Sequence, residues 1–528
     1  MLTYRNLDRT GAWKKLRNTS PFDVTRLSED RISTMQTSLA AGITYSWAAA
    51  PVDQSVIAVL AELATEQQLV DKYRALLDGA VMNTGEGRMV LHHLLRGQPG
   101  SVVVHQGRDQ REFYREQQQR FSRFAEAVLD GTEKGATGKP FTTVVQIGIG
   151  GSDLGPRALY LALNEWVRAQ GIEPRLEAKF ISNVDPDDAA AVLSGVDLET
   201  TLFVLVSKSG TTQETLTNEQ FVKELAARHA PGLDLRKNTV AVTSETSPLA
   251  SGGGYRESFF IDDYIGGRYS ATSAVGGVIL SLAFGPGVFQ RVLEGAHEAD
   301  LAAMNPDLLA NASLLDALIG VYERNTLGMA TTAILPYSQA LSRFPAHLQQ
   351  LDMESNGKRV NRDGEPVEYE TGPIVFGEPG TNGQHSFYQL LHQGTTTIPL
   401  QFIGFRRSQI GQDTAFEGST SQVKLNANLA AQIVAFARGR HHENGNKHFP
   451  GGRPSTLLVG EQLTPEAAGA LLAHYENKVM FQGLTWNVNS FDQEGVQLGK
   501  ILTKELLTGS PGEELTVYAS LLGIDKKI

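Results

Sequence analysis

The 528-residue sequence contains no cysteine, which excludes disulfide bonds, thiol catalysis and thiolate-bound metals. A long apolar run is also missing. The most apolar stretch, residues 275–289, is interrupted by four glycines and one proline and is too short to cross a bilayer as a helix. The first residues contain no apolar core of a signal peptide. We therefore expect a cytoplasmic protein without a membrane partner.

The chain also has fewer basic than acidic residues. The chain has 47 Lys and Arg against 58 Asp and Glu, a net charge of −11. Nucleic-acid binding requires clustered Lys and Arg, so we expect no nucleic-acid partner. An anionic substrate would have to be bound by local donors, against the overall field of the protein. The histidines show no metal-ligand spacing of the His-Glu-x-x-His type, and we expect no metal.

The chain is too long for one hydrophobic core, and its length predicts two to four domains. Residues 1–130 predict helices, with helical apolar spacing in 56–77 and 109–129. Gly and Pro in 130–140 predict a linker. Beyond it, strand and helix patterns alternate. Strands are predicted at 142–149, 178–182, 202–207, 239–243, 329–335, 397–402 and 455–458, and helices at 154–169, 213–230 and 422–437.

This alternation predicts parallel sheets covered by helices on both faces. We expect an α/β fold with two doubly wound parallel-sheet domains. The predicted boundaries are 1–130 for a helical N-terminal layer, 131–298 for the first sheet domain and 299–528 for the second, which ends in a C-terminal helix.

Glycine-rich residues 148–155 follow a predicted strand and open a helix. Glycines there allow the backbone to approach an anion, and a helix N-terminus offers free N–H groups. Asp153 stands where the dinucleotide fingerprint requires glycine, so a nicotinamide cofactor is disfavoured and no cofactor is expected. A tight strand–helix turn without a ligand remains the alternative.

Residues 207–215 contain five hydroxyl side chains and one lysine between a predicted strand and a helix. Hydroxyls together with free backbone N–H groups are suited to a phosphate. The alternative is a helix cap, although a cap needs one hydroxyl and not five. No Walker A motif occurs; residues 495–501 come nearest and have the wrong spacing.

Four further residues are candidates for chemistry. Glu354 lies among amides, a hydroxyl and a cation in 349–358, where a carboxylate could take a proton from carbon. Arg268, between glycines and a small-residue helix start, could stabilise a negatively charged intermediate, or could form a structural ion pair. His385 could act as an acid or base, although a lone histidine is more often structural. Lys500 alone reads as a surface lysine of an amphipathic helix.

In combination, these motifs resemble the phosphoglucose isomerase family. Residues 83–96 also resemble a family motif, and the seven motifs occur in the family's order over nearly the whole chain. Two positions depart from it. Residues 208–212 read Lys-Ser-Gly-Thr-Thr where many members have Lys-Thr-Phe-Thr-Thr, and Glu494 replaces a frequent aromatic. Neither change affects a residue expected to transfer a proton.

The resemblance implies a role for each matching position. Glu354 would move a proton between C2 and C1 of a sugar phosphate, and Arg268 would stabilise the enediolate. His385, with Lys500, would open the sugar ring. The implied substrate contacts are Gly151, Ser152, Ser207, Lys208, Ser209, Thr212, Thr215, Gln350 and Gln493. Because the family's histidine reaches into the neighbouring subunit, the resemblance also implies a homodimer with shared active sites.

Two rival functions remain open at this point. One is a related isomerase of the same fold that accepts mannose 6-phosphate or amino-sugar phosphates. The other is a sugar-phosphate sensor without turnover, which would need the hydroxyl-rich loop but not Glu354, His385 and Lys500 together.

Overall fold

The computed structural model describes residues 2–172, 176–252, 254–509 and 511–524. The chain forms two compact units, residues 1–490 and 491–528. Strands are β1 Gln36–Ser38, β2 Thr44–Ser46, β3 Val81–Asn83, β4 Arg88–Met89, β5 Val104–His105, β6 Arg108–Asp109, β7 Thr143–Ile147, β8 Glu177–Ile181, β9 Thr201–Val206, β10 Thr239–Thr243, β11 Glu257–Phe260, β12 Thr331–Pro336, β13 Ile374–Gly377, β14 Leu400–Phe405, β15 Ala415–Phe416, β16 Ser419–Thr420 and β17 Ser455–Gly460.

Helices of the first unit are α1 Gly11–Leu16, α2 Glu29–Thr34, α3 Gln54–Glu66, α4 Leu69–Leu77, α5 Gln110–Leu129, α6 Leu154–Ala169, α7 Pro186–Ser194, α8 Gln213–His229, α9 Pro248–Gly252, α10 Ala274–Phe284, α11 Pro286–Ala302, α12 Ala312–Asn325, α13 Phe344–Gln349, α14 Tyr388–Gln393, α15 Ser421–Arg438 and α16 Pro465–Trp486. The second unit contains α17 Gln497–Thr508 and α18 Glu513–Leu521.

The first sheet has the strand order β8-β7-β9-β10-β11, and every neighbouring pair is parallel. All residues of β7, β9 and β10 are buried. Burial of consecutive residues is expected when helices cover both faces of a parallel sheet. Val145 and Leu205 pack with Val222 of α8 in the same core cluster.

The second sheet has the order β13-β12-β14-β17-β2-β1. Its first four strands are parallel, and the N-terminal strands β2 and β1 extend the edge in antiparallel orientation. Leu335, Phe402 and Phe436 pack in the core of this sheet. The first two strands of the chain therefore form one edge of the sheet whose other strands come last in the sequence.

Two long helices cross the interior of the first unit. A Cβ atom on Gly295 of α11 would lie 1.9 Å from the carbonyl oxygen of Glu466, and one on Gly469 of α16 would lie 1.9 Å from that of Val292. Glycine at both positions lets α11 and α16 approach backbone to backbone. The apolar stretch 275–289 forms most of α10, whose residues are all buried. No helix in the described ranges is long and apolar enough to cross a membrane.

The predicted elements of the sheet regions are confirmed, most of them with shifts of one to three residues at their ends. The prediction that residues 1–130 form only helices was incomplete, because β1 to β6 also lie there. The single helical stretch predicted at 56–77 is two helices. It breaks at Gln68, whose φ of 52° is left-handed and cannot continue a helix.

The second unit consists of a short turn, Glu494–Val496, followed by α17 and α18. None of the α17 residues is buried, and Leu498 and Ile501 on this helix are more than half exposed. Where the sequence suggested one C-terminal helix, the structure has two shorter helices.

Candidate active site

The hydroxyl-rich loop and the glycine-rich loop lie beside each other at the carboxyl ends of neighbouring strands of the first sheet. The loop at 148–152 follows β7, and the loop at 207–212 follows the neighbouring strand β9. From β7 the chain continues to β8 on one side, whereas β9 lies on the other. Ligands of open α/β sheets bind outside the carboxyl ends of the strands at such a crossover point.

The hydroxyls of the second loop form a small network. The Oγ atom of Ser207, which is buried, lies 2.9 Å from Oγ1 of Thr212. The Oγ atom of Ser209 accepts hydrogen bonds from the backbone N–H and hydroxyl of Thr211. Thr212 precedes α8 without capping it through its side chain. The helix-cap interpretation therefore does not account for Thr212.

Thr215 lies in the first turn of α8 and is 1% exposed. Its buried hydroxyl has no hydrogen-bond partner within the described residues. A buried polar atom without a partner is costly, so this hydroxyl is available for a ligand at the helix N-terminus.

Lys208 is directed differently from the hydroxyls. Its ammonium donates to the carbonyl oxygen of Ile265 at 3.1 Å and lies 4.0 Å from a carboxylate oxygen of Asp263. Burial lowers the pKa of Lys208, and the nearby Asp263 carboxylate opposes that shift. Its predicted contact with substrate stays a prediction.

Gly151 supports the backbone of Arg268. A Cβ atom at Gly151 would lie 2.1 Å from the carbonyl oxygen of Gly267 and 2.8 Å from the backbone nitrogen of Arg268. Only glycine permits this approach. The neighbouring Ser152 accepts a hydrogen bond on its backbone oxygen from the Gln146 amide at 2.8 Å. The glycine-rich loop therefore has a packing role in addition to any contact with substrate.

The side chain of Arg268 is 1% exposed, and hydrogen bonds fix its guanidinium group on two sides. Its Nε donates to Oγ of Ser355 at 2.6 Å, and Nη2 donates to the carbonyl oxygen of Ser490 at 2.7 Å. Its Nη1 lies 3.7 Å from Oε1 of Glu354. The ion pair weighed as the alternative is thus present, and its carboxylate is the candidate base.

Glu354 ends a π-helical turn, Gln350–Glu354, that continues α13. Such turns rotate side chains away from ordinary helical positions and occur frequently at functional sites. Oε1 of Glu354 faces Arg268, whereas its buried Oε2 has no hydrogen-bond partner in the described part of the chain. One carboxylate oxygen is therefore fixed by a cation and the other is available.

Gln350 begins the same turn, and its buried Oε1 also has no described partner. Its Nε2 would lie 3.3 Å from a Cβ atom on Gly150. The structure therefore brings Gln350, Glu354 and Arg268 together beside the glycine-rich loop.

His385 is exposed and ends the short helical turn Asn382–His385. No hydrogen bond or ion pair within the described ranges joins it to Glu354 or Arg268. Lys500 and Gln493 belong to the second unit: Lys500 is exposed on α17, and Gln493 precedes the turn at 494–496. Within the first unit, the structure thus assembles Glu354, Arg268, Gln350 and Gly151 and leaves His385 at the surface.

Comparison with known proteins identifies the family. A family model described as phosphoglucose isomerase matches residues 46–517. The chain belongs to the phosphoglucose isomerase family. The predicted resemblance is confirmed. The glucose-6-phosphate isomerase of Treponema denticola is 56% identical and covers 99% of this chain and 100% of its own length. That of Borreliella burgdorferi is 44% identical over 96% of both chains.

A crystal structure of a glucose-6-phosphate isomerase from Chlamydia trachomatis matches the fold with a TM-score of 0.91. It is 42% identical and covers 98% of this chain and 100% of that chain. The predicted fold class, an α/β protein with doubly wound parallel sheets, is confirmed by this match.

Sequence reasoning missed the residues that position the catalytic candidates in this phosphoglucose isomerase family member. Ser355 contacts both Arg268 and the hydroxyl of Tyr269, at 2.6 and 3.0 Å. Asn356 accepts a hydrogen bond from the Ser490 hydroxyl at 2.7 Å. Ser355 and Asn356 directly follow Glu354 in the sequence, and that position was the one signal that could have indicated their positioning role.

A group of buried acids in the Glu354 turn and next to it was also missed. Burial raises the pKa of Asp352 to about 7 and that of Glu323 to about 8. Burial also acts on Asp316, but the Lys478 ammonium at 3.0 Å and His474 hold the pKa of Asp316 below its usual value. No cluster of three or more His, Asp or Glu suited to a metal ion occurs in the described ranges.

The family motif at 83–96 has a structural role in this unit. Arg96 is fully buried and forms ion pairs with Asp300 of α11 and Glu476 of α16. It therefore joins the two long interior helices.

Proposed function

We propose that this chain catalyses the reversible interconversion of glucose 6-phosphate and fructose 6-phosphate, a step of glycolysis and gluconeogenesis. Aldose–ketose isomerisation is the reaction class of its family. The observation that carries the proposal is the pairing of the Glu354 carboxylate with the buried Arg268 guanidinium, 3.7 Å apart, next to the crossover loops of the first sheet.

The phosphate group of the substrate binds to the hydroxyl-rich loop. Thr215 supplies a buried hydroxyl with no described partner, and Ser207, Ser209 and Thr212 supply three more at the N-terminus of α8. The positive end of the helix dipole favours a doubly charged phosphate at this position. Local donors thereby offset the negative net charge of the protein. Lys208 adds positive charge near the loop.

Proton transfer at carbon is the role of Glu354. Its available oxygen removes the proton from C2 of the open-chain aldose, and the electron pair moves onto the carbonyl oxygen at C1 to form an enediolate. Arg268 stabilises that negative charge without giving up a proton of its own. The proton of the C2 hydroxyl passes to the C1 oxygen, and Glu354 returns its proton to C1 as the C2 carbonyl of the ketose forms. Gly151, Ser152 and Gln350 contact the sugar chain.

Ring opening requires an acid or base at the ring oxygen and the C1 hydroxyl. We assign this step to His385, assisted by Lys500, with Gln493 as a further substrate contact. His385 is exposed in the single chain, which suits a residue that completes the site of a second copy. The assembly we propose is a homodimer with shared active sites, located in the cytoplasm. The domain boundaries at 130 and 298 likewise remain proposals.

A coupled assay of fructose 6-phosphate conversion by the purified chain, with a chelator present, tests this function. We expect turnover that is insensitive to the chelator. Parallel assays with mannose 6-phosphate and an amino-sugar phosphate separate it from a related isomerase. Tight binding of fructose 6-phosphate without turnover would contradict the proposal and favour a sensor.

A further inference from the structure

The two sheets share one pattern of strand order. In the first sheet β7 lies between β8 and β9, and in the second sheet β12 lies between β13 and β14. In both sheets, the next strand in the sequence lies on one side of this strand, and the strand after it lies on the other side. The crossover point of the first sheet contains the hydroxyl-rich loop. By the same rule, the carboxyl ends of β12 and β14 should border a second ligand crevice.

A cavity of about 510 Å³ lies at that position. Its walls include Tyr337 and Ser338 after β12, Arg407 and Ser408 after β14, and Asn164 of α6. Small-molecule sites in proteins usually have volumes of about 300–1,000 Å³. The crevice is therefore large enough for a ligand of the size of one or two sugar rings. We name it the second crevice.

Several polar groups in the second crevice are uncommitted. The side chains of Ser338, Gln339, Ser342 and Gln412 line it and form no hydrogen bond within the described residues. The buried Oδ1 atom of Asn164 also has no partner there. In the same wall, the Gln409 amide donates to two backbone carbonyls, which shows the bonding expected of a purely structural amide.

The charged groups at the second crevice are one cation and two carboxylates, a net negative charge. The exposed guanidinium of Arg407 lies 2.6 Å from a carboxylate oxygen of Glu461, and Glu165 adds a carboxylate to the lining. A phosphorylated ligand is therefore disfavoured. Leu161, Phe405, Leu425 and Leu463 provide apolar wall.

We propose that the second crevice binds an uncharged polyhydroxylated ring molecule, such as an unphosphorylated hexose. Hydroxyls on the ring edge would satisfy the uncommitted serine, glutamine and asparagine groups, and the faces of the ring would cover the leucine and phenylalanine side chains. This site is separate from the proposed active site and does not depend on its chemistry.

Titration of the full chain with D-glucose, followed by ligand-observed NMR, tests the proposal. The titration is run with and without saturating fructose 6-phosphate, which occupies the proposed active site. We expect saturable D-glucose binding that fructose 6-phosphate does not displace. Displacement would place D-glucose in the active site and overturn the inference, as would binding that never saturates.

Two variants locate the binding site. Ser342→Leu fills part of the crevice, and Gln412→Ala removes an exposed amide with little risk to folding. Each should weaken D-glucose binding about tenfold, the effect of losing about 1.4 kcal/mol. Gln220→Ala, on the exposed face of α8, is the matched control and should bind normally. Unchanged binding in Gln412→Ala would refute the site, even if Ser342→Leu fails to fold.

Activity measured on the same samples keeps the two proposals distinguishable. Isomerase turnover without D-glucose binding would refute only the second crevice. D-glucose binding of the expected kind in a chain without turnover would refute only the proposed function.

Discussion

At the scale of single residues, Thr215 is the clearest candidate for a group that serves the substrate and not the fold, because its buried hydroxyl has no described partner. Thr215→Val keeps the shape and removes the hydroxyl. KM for fructose 6-phosphate should rise about tenfold with kcat nearly unchanged, since a contact to the distant phosphate is made equally in the ground and transition states. Steady-state kinetics measure both constants.

Thr65→Val, at an exposed position of α3, is the matched control for this substitution and should leave the kinetics unchanged. A normal KM in Thr215→Val would exclude its hydroxyl from phosphate binding. A fall in kcat alone would move Thr215 from binding to the chemical step.

Candidate site residues could be named from the sequence, but their contacts could not. Glu354 and Arg268 were chosen from separate motifs, and the structure places them 3.7 Å apart. The position of the Lys208 ammonium at the Ile265 carbonyl was not predictable, because residues 57 positions apart meet only in the folded chain. The same holds for Ser490 as the acceptor of Arg268.

At the scale of elements, the close approach of two loops fixes the position of Arg268. Gly151→Ala would place a methyl group 2.1 Å from the Gly267 carbonyl oxygen and push the two loops apart. We expect a loss of about 1–3 kcal/mol in the free energy of unfolding, as in other overpacked sites. Because displacement by about 1 Å is enough, kcat should fall about 100-fold.

Denaturant unfolding and steady-state kinetics measure these two effects. Gly287→Ala, near the start of α11, has no atom within 4 Å of the added methyl and is the matched control. Full activity in Gly151→Ala would show that the loops can separate without moving Arg268 out of its working position.

The buried Glu323 of α12 makes a prediction about pH. Burial raises the pKa of its carboxyl from 4.5 to about 8 in the folded protein. The stability contribution of this group is therefore complete below pH 4.5 and is lost as the pH rises to about 8. Glu323→Gln stays neutral at every pH. It should be close to the parent at pH 5 and more stable by about 1–3 kcal/mol at pH 8.

Thermal unfolding across this pH range measures the difference. Glu224→Gln, whose side chain is 58% exposed, is the matched control and should show no such trend. A difference that does not change with pH, or a loss of stability at pH 8, would contradict a buried neutral carboxyl at Glu323.

Among the elements, the interior strands were predictable because their apolar runs are continuous, and α6, α8 and α15 were predicted from the sequence as well. The long interior helices α11 and α16 were not predicted. The π-helical turn at Gln350–Glu354 was not predictable, since no local pattern distinguishes it from the end of α13. Strands β1 and β2 are three residues each; β1 pairs with β2, and β2 pairs with β17, more than 400 residues away in the chain. Such strands have almost no local signature.

At the scale of the whole molecule, the proposed shared site predicts complementation between two inactive chains. Glu354→Gln and His385→Ala should each be nearly inactive alone. In a mixed dimer, one site lacks both groups and the other retains both. With equal mixing half of the dimers are mixed, so about a quarter of wild-type sites should be restored after co-refolding. The coupled assay measures the recovery.

The two variants refolded separately and then combined serve as the control and should stay inactive unless subunits exchange. If one chain supplies both groups, no mixture can rebuild a complete site. Activity that stays at the level of the separate variants after co-refolding would therefore rule out shared sites and leave the isomerase function intact.

The central claim is that Glu354 moves the proton between C2 and C1. The most direct test follows both fructose 6-phosphate conversion and incorporation of solvent deuterium at C2 of the aldose phosphate in Glu354→Gln, with Glu224→Gln as the control. Loss of general base catalysis should lower both rates about 100- to 10,000-fold while KM changes little. Turnover and deuterium incorporation close to those of the control would contradict the claim.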